Sequence, residues 1–298
     1  MGKLNLVYWT VRENYGDCLS PFIVQSLSGL SIQQKDVAYL QRPWISIIRD
    51  FLLYGNLNLR LKHRFWPFQK NYVCVGSILG QGNKYSHYWG TGSLYGGGRI
   101  RGVFYAVRGN LSRERILRYK DEKYTKIVRN CPVGDPALLL PKILPAAKHK
   151  KHKLGIIPHY TEYDYFNREF GRKYFIINLA TSDVVKITQE ITSCDYILSS
   201  SLHGLIVPHA YKIPALWIEH SDLQPNSNGY KFKDYFSSVG LSYEPFRNIH
   251  DILSNSSCIN LLFQKNMKNA LPQVDLEELC NNLLESAPFP LKEEFKRR

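Results

Sequence analysis

One short segment concentrates side chains able to handle an anion and a proton. Asp195-Tyr196-Ile197-Leu198-Ser199-Ser200-Ser201-Leu202-His203-Gly204 reads as a buried strand that ends in hydroxyls and turns into a helix beginning near Gly204. Unpaired backbone N–H groups at a helix start carry partial positive charge, so this junction can hold a phosphate or carboxylate. The hydroxyls of Ser200 and Ser201 and the backbone of Leu202, His203 and Gly204 would supply the donors. His203 stands at the strand end, where an imidazole that titrates near neutrality can release a proton. A purely structural role explains the same residues: the serines cap the helix and His203 is satisfied within the fold.

A second strand-to-helix junction lies at Asn14-Tyr15-Gly16-Asp17. Here Asn14 or Asp17 can cap the helix and Gly16 can permit the turn. Asp17 could also accept hydrogen bonds from hydroxyls, or take a proton from one. The glycine-rich stretch Gly80 to Gly98 has no GxGxxG between strand and helix, so a nucleotide fingerprint is weakly supported. It reads instead as a flexible loop offering Tyr85, His87, Tyr88, Trp89 and Tyr95.

The Ser199–Gly204 run resembles the SSRLHG signature of the polysaccharide pyruvyl transferase family, and the stretch Leu205 to Trp217, with Pro208 and Pro214, is similar as well. In the expected order, Asn14 to Leu19 resembles the NxGD element, Val107 to Ser112 a strand-end arginine motif, Gly134 to Leu139 a further element, and Gly155 to Tyr160 another. Together these run from about Asn14 to Asp234. The resemblance implies a GT-B-like fold and phosphoenolpyruvate as co-substrate, with no other cofactor and no metal. It implies a galactose- or mannose-type acceptor on a lipid-linked oligosaccharide, in surface or capsular polysaccharide synthesis. By the same resemblance His203 is the general acid, and Arg108 binds the donor's phosphate or carboxylate with Ser200 to Gly204. Asn14, Gly16, Asp17, His159 and Trp89 fall on the acceptor side. Ser201 departs from the signature, which has arginine there. Lys231, Arg113 or Arg99 is then expected to replace the missing cation, because serine offers one hydrogen bond and no charge.

The implied chemistry is consistent with these groups. Protonating the methylene carbon of phosphoenolpyruvate leaves positive charge at C2 for a sugar hydroxyl to attack, and loss of phosphate lets a second hydroxyl close a cyclic ketal. Removal of His203 or Arg108 is expected to abolish turnover and leave folding intact.

The elements that must position these residues form an α/β alternation. Apolar runs at Leu4–Thr10, Tyr72–Ile78 and Gly102–Val107 are followed by helical spacing at Leu19–Leu27 and Ser112–Arg118. The second half repeats the pattern, with strands at Leu154–Ile157, Tyr174–Leu179, Tyr196–Ser200 and Ala215–Ile218. Helices are expected at Ser182–Ile191, Gly204–Tyr211 and Val274–Leu284. The basic run Lys148 to Lys153 marks the expected boundary between two Rossmann-like domains, residues 1–147 and 153–298, facing each other across a cleft.

Composition bounds the partners. The 298 residues carry a formal charge of +14, which favours anionic ligands or surfaces. No helix-turn-helix, zinc or RRM-like signature accompanies that charge, so nucleic acid is not an expected partner. The six cysteines form no CxxC pair, and Met1 to Tyr8 reads as a strand without the features of a secretory leader; a reducing, cytoplasmic setting is expected. Arg42 to Lys70 mixes aromatic and basic residues and could rest on the anionic inner face of a membrane. A nucleotide-sugar glycosyltransferase is the main rival, because the same architecture would serve it. The sequence leaves the oligomeric state open.

Overall fold

Two parallel sheets organise the chain in a computed structural model that describes residues 2–9, 12–35, 69–94, 100–118, 128–220 and 229–296. The first contains β1 (Lys3–Val7), β2 (Ser31–Lys35), β3 (Asn71–Val73), β4 (Ser86–Trp89) and β5 (Val103–Ala106), in the order β2-β1-β3-β4-β5. The second contains β6 (His152–Ile157), β7 (Phe175–Ile176), β8 (Cys194–Ser199) and β9 (Ala215–Trp217), in the order β7-β6-β8-β9. Parallel neighbours require crossovers, and helices supply several of them. In each sheet the strand order runs outward in both directions from one pair, β1/β3 in the first and β6/β8 in the second. Such reversal points open a crevice beyond the carboxyl ends of the strands.

The helices that follow β1, β5 and β8 carry the candidate residues. Helix α1 (Tyr15–Ser28) starts where the Asn14 side chain accepts from the Gly16 N–H, and it stops at Gly29, which adopts the left-handed conformation at φ 70°. Its Leu19, Ile23 and Leu27 recur every fourth residue and are fully buried. Helix α2 (Asn110–Arg118) follows β5. In the second half come α3 (Tyr163–Phe170), α4 (Val184–Thr192), α5 (His203–Ala210) and α6 (Tyr230–Val239). The chain ends in α7 (Ile249–Ser254), α8 (Ser256–Ala270) and α9 (Leu276–Glu285), the last capped by Asp275.

One apolar cluster joins Leu6, Leu19 and Ile23 to Ile157, Ile197 and Leu205, so side chains from both sheets share it. Helix α9 returns to the first sheet, where the Trp89 indole donates to the Leu283 carbonyl at 2.9 Å and Phe289 meets that indole edge-on. The Gly80–Gly98 stretch expected as a flexible loop therefore needs correction: it contains β4, and Tyr88 and Trp89 are fully buried there. The basic run expected as a linker leads straight into β6, which begins at His152. Within it Lys150 donates to the carbonyls of Thr192 and Cys194. The basic and aromatic segment from Arg42 falls almost wholly outside the described residues, as do Tyr95 and Arg99.

A buried ion pair ties the end of β5 to α6. Arg108 Nε donates to Asp234 Oδ2 at 3.0 Å, and the remaining guanidinium nitrogens donate to Ser77 Oγ at 2.6 Å and the Ser93 carbonyl at 2.7 Å. Asp234 also accepts from the Ser112 N–H and hydroxyl, and both charged side chains are completely buried. Gly109 has no room for a Cβ, because the Asp234 backbone closes over it. Removing one partner leaves a buried uncompensated charge, which costs about 3–5 kcal/mol. Asp234→Ala is thus expected to lower unfolding free energy by about that amount in a urea titration. A loss below about 1 kcal/mol would show that the pair does not carry this junction.

Candidate functional site

Loops from both reversal points converge on one pocket of about 270 Å³. After β1 come Trp9, Asn14, Gly16 and Asp17, and after β3 come Gly76, Ser77 and Ile78. After β6 come His159 and Tyr160, and after β8 come Ser201, Leu202 and His203. Leu94, Leu179 and Lys231, the last from the first turn of α6, complete the wall. Two larger hollows, about 650 Å³ beside α9 and about 620 Å³ between α7 and α8, contain none of the candidate histidines. Size alone is therefore a poor guide here; the convergent polar groups single out the smaller pocket.

The three serines of the β8 end divide their work. Ser199 Oγ donates to the Ile157 carbonyl at 2.7 Å and accepts from the Ser201 N–H, and Ser200 Oγ accepts from the His159 N–H while donating to Glu162. Both are fully buried and their hydroxyls brace the two loops. Ser201 is the serine that lines the pocket. Gly204 lies behind it, and a Cβ there would strike Ser199 Oγ and Ile157.

His203 closes the floor between two helix starts. Its imidazole lies against Gly16 so closely that a Cβ on residue 16 would overlap the ring, and its Nε2 is buried without a hydrogen-bond partner. A buried polar atom left unpaired is costly unless something absent supplies the bond. Burial first, then the nearby charges of Arg108 and Lys231, pushes its pKa down to about 3, so the imidazole is neutral near pH 7. His159 is pushed to about 4 by burial and by Lys231, and its Nδ1 pairs with Thr161 Oγ1 at 2.7 Å. Burial alone raises Asp17 to about 6. Lys231 is lowered to about 8 by burial and Arg108, opposed by Glu162.

The geometry thus brings together Asn14, Gly16, Asp17, His159, Ser201, Leu202 and His203. Asn14 Oδ1 is already engaged as the α1 cap. Trp89 is placed elsewhere: buried beneath α9, it offers no face to the pocket. Arg108 stands one bond behind the wall, because its partner Ser77 lines the pocket while its own nitrogens face inward. The expectation that Arg108 could be removed without harm to folding is corrected accordingly, since the guanidinium satisfies Asp234 in the interior. Of the three expected replacement cations, Lys231 reaches the pocket, Arg113 donates to the Cys131 carbonyl, and Arg99 lies outside the described residues. Ser77 was missed, although it follows an apolar run ending in Gly76, where a strand-end site is expected. Among the described residues, no cluster of three or more His, Cys, Asp or Glu side chains could hold a metal ion.

Parallel sheets with a polar pocket at their strand reversals define a mixed α/β protein. Residues 101–222, which contain both Arg108 and the Ser199–Gly204 junction, match the family model for polysaccharide pyruvyl transferase. An uncharacterized protein of Acanthamoeba polyphaga mimivirus is 28% identical over 201 residues, covering 65% of this chain and 68% of that relative. No solved structure matches the chain.

Two outcomes test the site as built. Gly16→Ala is expected to displace the His203 ring while α1 persists, changing the imidazole NMR signals with little change in far-UV circular dichroism. In the unliganded protein the His203 signals should stay at neutral-imidazole positions from about pH 8 to about pH 5, because protonation begins only toward the depressed value. Titration near about 6.5 would contradict that environment.

Proposed function

We propose that this protein transfers the pyruvyl group of phosphoenolpyruvate to two hydroxyls of a galactose- or mannose-type sugar, forming a cyclic ketal. The observation that carries this reading is the position of the family match: it covers a junction whose histidine lines a pocket built from both sheets and keeps a buried Nε2 without a hydrogen-bond partner. A family of pyruvyl transferases in polysaccharide synthesis needs to hold a small, highly charged donor and deliver one proton to carbon.

Burial keeps His203 neutral, and the donor's phosphate and carboxylate raise its proton affinity on arrival. The imidazolium then protonates the methylene carbon, making a methyl group and leaving positive charge at C2. The first sugar hydroxyl attacks C2, and Asp17, with its raised pKa, accepts the proton. The C2–O bond to phosphate breaks with its electron pair leaving on oxygen, and the second hydroxyl closes the ring. Of the two hydroxyl protons, one balances that placed on the methyl group and the other leaves on phosphate. The partial positive charge at the start of α5 favours the departing anion.

Two paired sheets would divide donor and acceptor as in a GT-B-like arrangement, and the acceptor would be lipid-linked. No described helix is long and apolar enough to cross a membrane. The chain's net positive charge would favour peripheral contact with an anionic cytoplasmic leaflet. Incubating the protein with phosphoenolpyruvate and candidate lipid-linked acceptors should release phosphate only when an acceptor is present, and mass spectrometry should show one added pyruvyl ketal. His203→Ala should lower kcat by at least about 100-fold, the scale of general acid catalysis. Release of nucleotide from a UDP-sugar, with phosphoenolpyruvate inert, would overturn the reading in favour of a glycosyltransferase.

A further inference from the structure

We infer that Lys231 is the cation that binds the donor's anionic group in this chain, acting from α6 where Ser201 leaves the β8 end without positive charge; the inference rests on the pyruvyl transfer reading for the donor's identity. Lys231 and Ser201 line the same pocket, together with Asp17, His159 and His203. Lysine can hold phosphate as a point charge with three donors, whereas serine contributes a single neutral hydrogen bond.

Several features deliver the ammonium to this place. Gly229 precedes α6 in the left-handed conformation at φ 68°, and a Cβ there would strike the Trp217 ring at the end of β9. One turn further on, Asp234 is pinned by Arg108 and Ser112, and residues three apart project from the same side of a helix. The Asn110 N–H donates to Ser237 Oγ at 2.8 Å and its side-chain amide to the Ser237 carbonyl at 3.0 Å, fixing the next turn. Tyr230 donates to the Leu111 carbonyl. The helix is therefore held rigidly against the end of β5, and Lys231 is carried into the pocket from its first turn.

The surrounding groups leave that charge available for an anion. Among the described residues Lys231 forms no ion pair within 4.0 Å, in contrast to Lys233 on the same helix, which pairs with Glu244 at 2.6 Å. The groups that act on it are Arg108 from behind, the Glu162 carboxylate, which already accepts from Ser200, and the Phe232 ring, whose centroid lies 5.2 Å from Nζ; His203 and His159 both feel its charge. One partly desolvated lysine and two neutral imidazoles around one small pocket form a field that a dianion relieves. The arrangement also assigns Arg108 to positioning: it holds α6, and through Ser77 the opposite wall, and Lys231 makes the contact.

The experiment is binding of sulfate, whose charge is constant over the range used, and of phosphoenolpyruvate, to wild type, Lys231→Met, Lys231→Arg and Lys231→Met with Ser201→Arg. Losing a charge-assisted bond of about 1.5–3 kcal/mol predicts that Lys231→Met binds both ligands roughly 10- to 100-fold more weakly. Adding Ser201→Arg should restore binding. Wild-type affinity should fall as pH rises through about 8, where the ammonium is lost, and Lys231→Arg should hold its affinity to about pH 9.5. Wild-type affinity in Lys231→Met, or a flat wild-type pH profile matching that of Lys231→Arg, would overturn the inference; the second comparison decides even if the methionine variant does not fold. Lys231-dependent sulfate binding without pyruvyl transfer would leave the cation assigned and remove the reading of the reaction. Pyruvyl transfer undiminished in Lys231→Met would do the reverse.

Discussion

The buried Arg108–Asp234 pair is the interaction on which the site depends. Its partners come from the end of β5 and from α6, 126 residues apart in sequence, and nothing local holds those elements in register. A fully buried charge pair is stabilising only if every donor and acceptor is engaged, and here Ser77, Ser93 and Ser112 complete the set. From behind the pocket, the same bonds fix two of its walls at once: the β3 loop through Ser77 and α6 through Asp234. Glycines at 92 and 109 are required by this packing, since a side chain at either would collide with the guanidinium or with the Asp234 backbone.

A rigid frame of that kind lets the pocket hold its titratable groups in unfavourable protonation states. Burial keeps His203 and His159 neutral, raises Asp17, and weakens the proton on Lys231. Negative charge opposes the downward shifts of His203, His159 and Lys231 and adds to the upward shift of Asp17, so an arriving dianion would make every one of these groups more willing to hold a proton. The His203 Nε2, buried without a hydrogen-bond partner, belongs to the same set of strained polar groups.

Much of the frame was legible because strand-to-helix junctions announce themselves locally. The apolar run ending in Ser199–Ser201 and passing into His203-Gly204 marked β8 and α5, and Asn14 before Leu19, Ile23 and Leu27 marked the start of α1. Strand β2, Ser-Ile-Gln-Gln-Lys, went unread because it is a polar edge strand with one fully buried residue. Strand β4 was hidden by the glycines around it; Gly90 adopts φ 76° and lies against Pro136, a tertiary requirement with no local signature. Trp89 looked available for stacking until α9 covered it, and Arg108 looked available for an anion until Asp234 arrived from a distant helix. Side-chain type was readable, and the identity of its long-range partner was not.

On the proposed reading, the pocket seats a small dianion between Ser201, Lys231 and the start of α5, with carbon presented to His203. A crystal structure of the protein with phosphoenolpyruvate tests that most directly. The account predicts phosphate within hydrogen-bond distance of Lys231 Nζ and the Ser201 side chain, with the methylene carbon facing the His203 ring. Phosphoenolpyruvate seated outside this pocket, or bound within it with phosphate turned away from Lys231, would contradict the account.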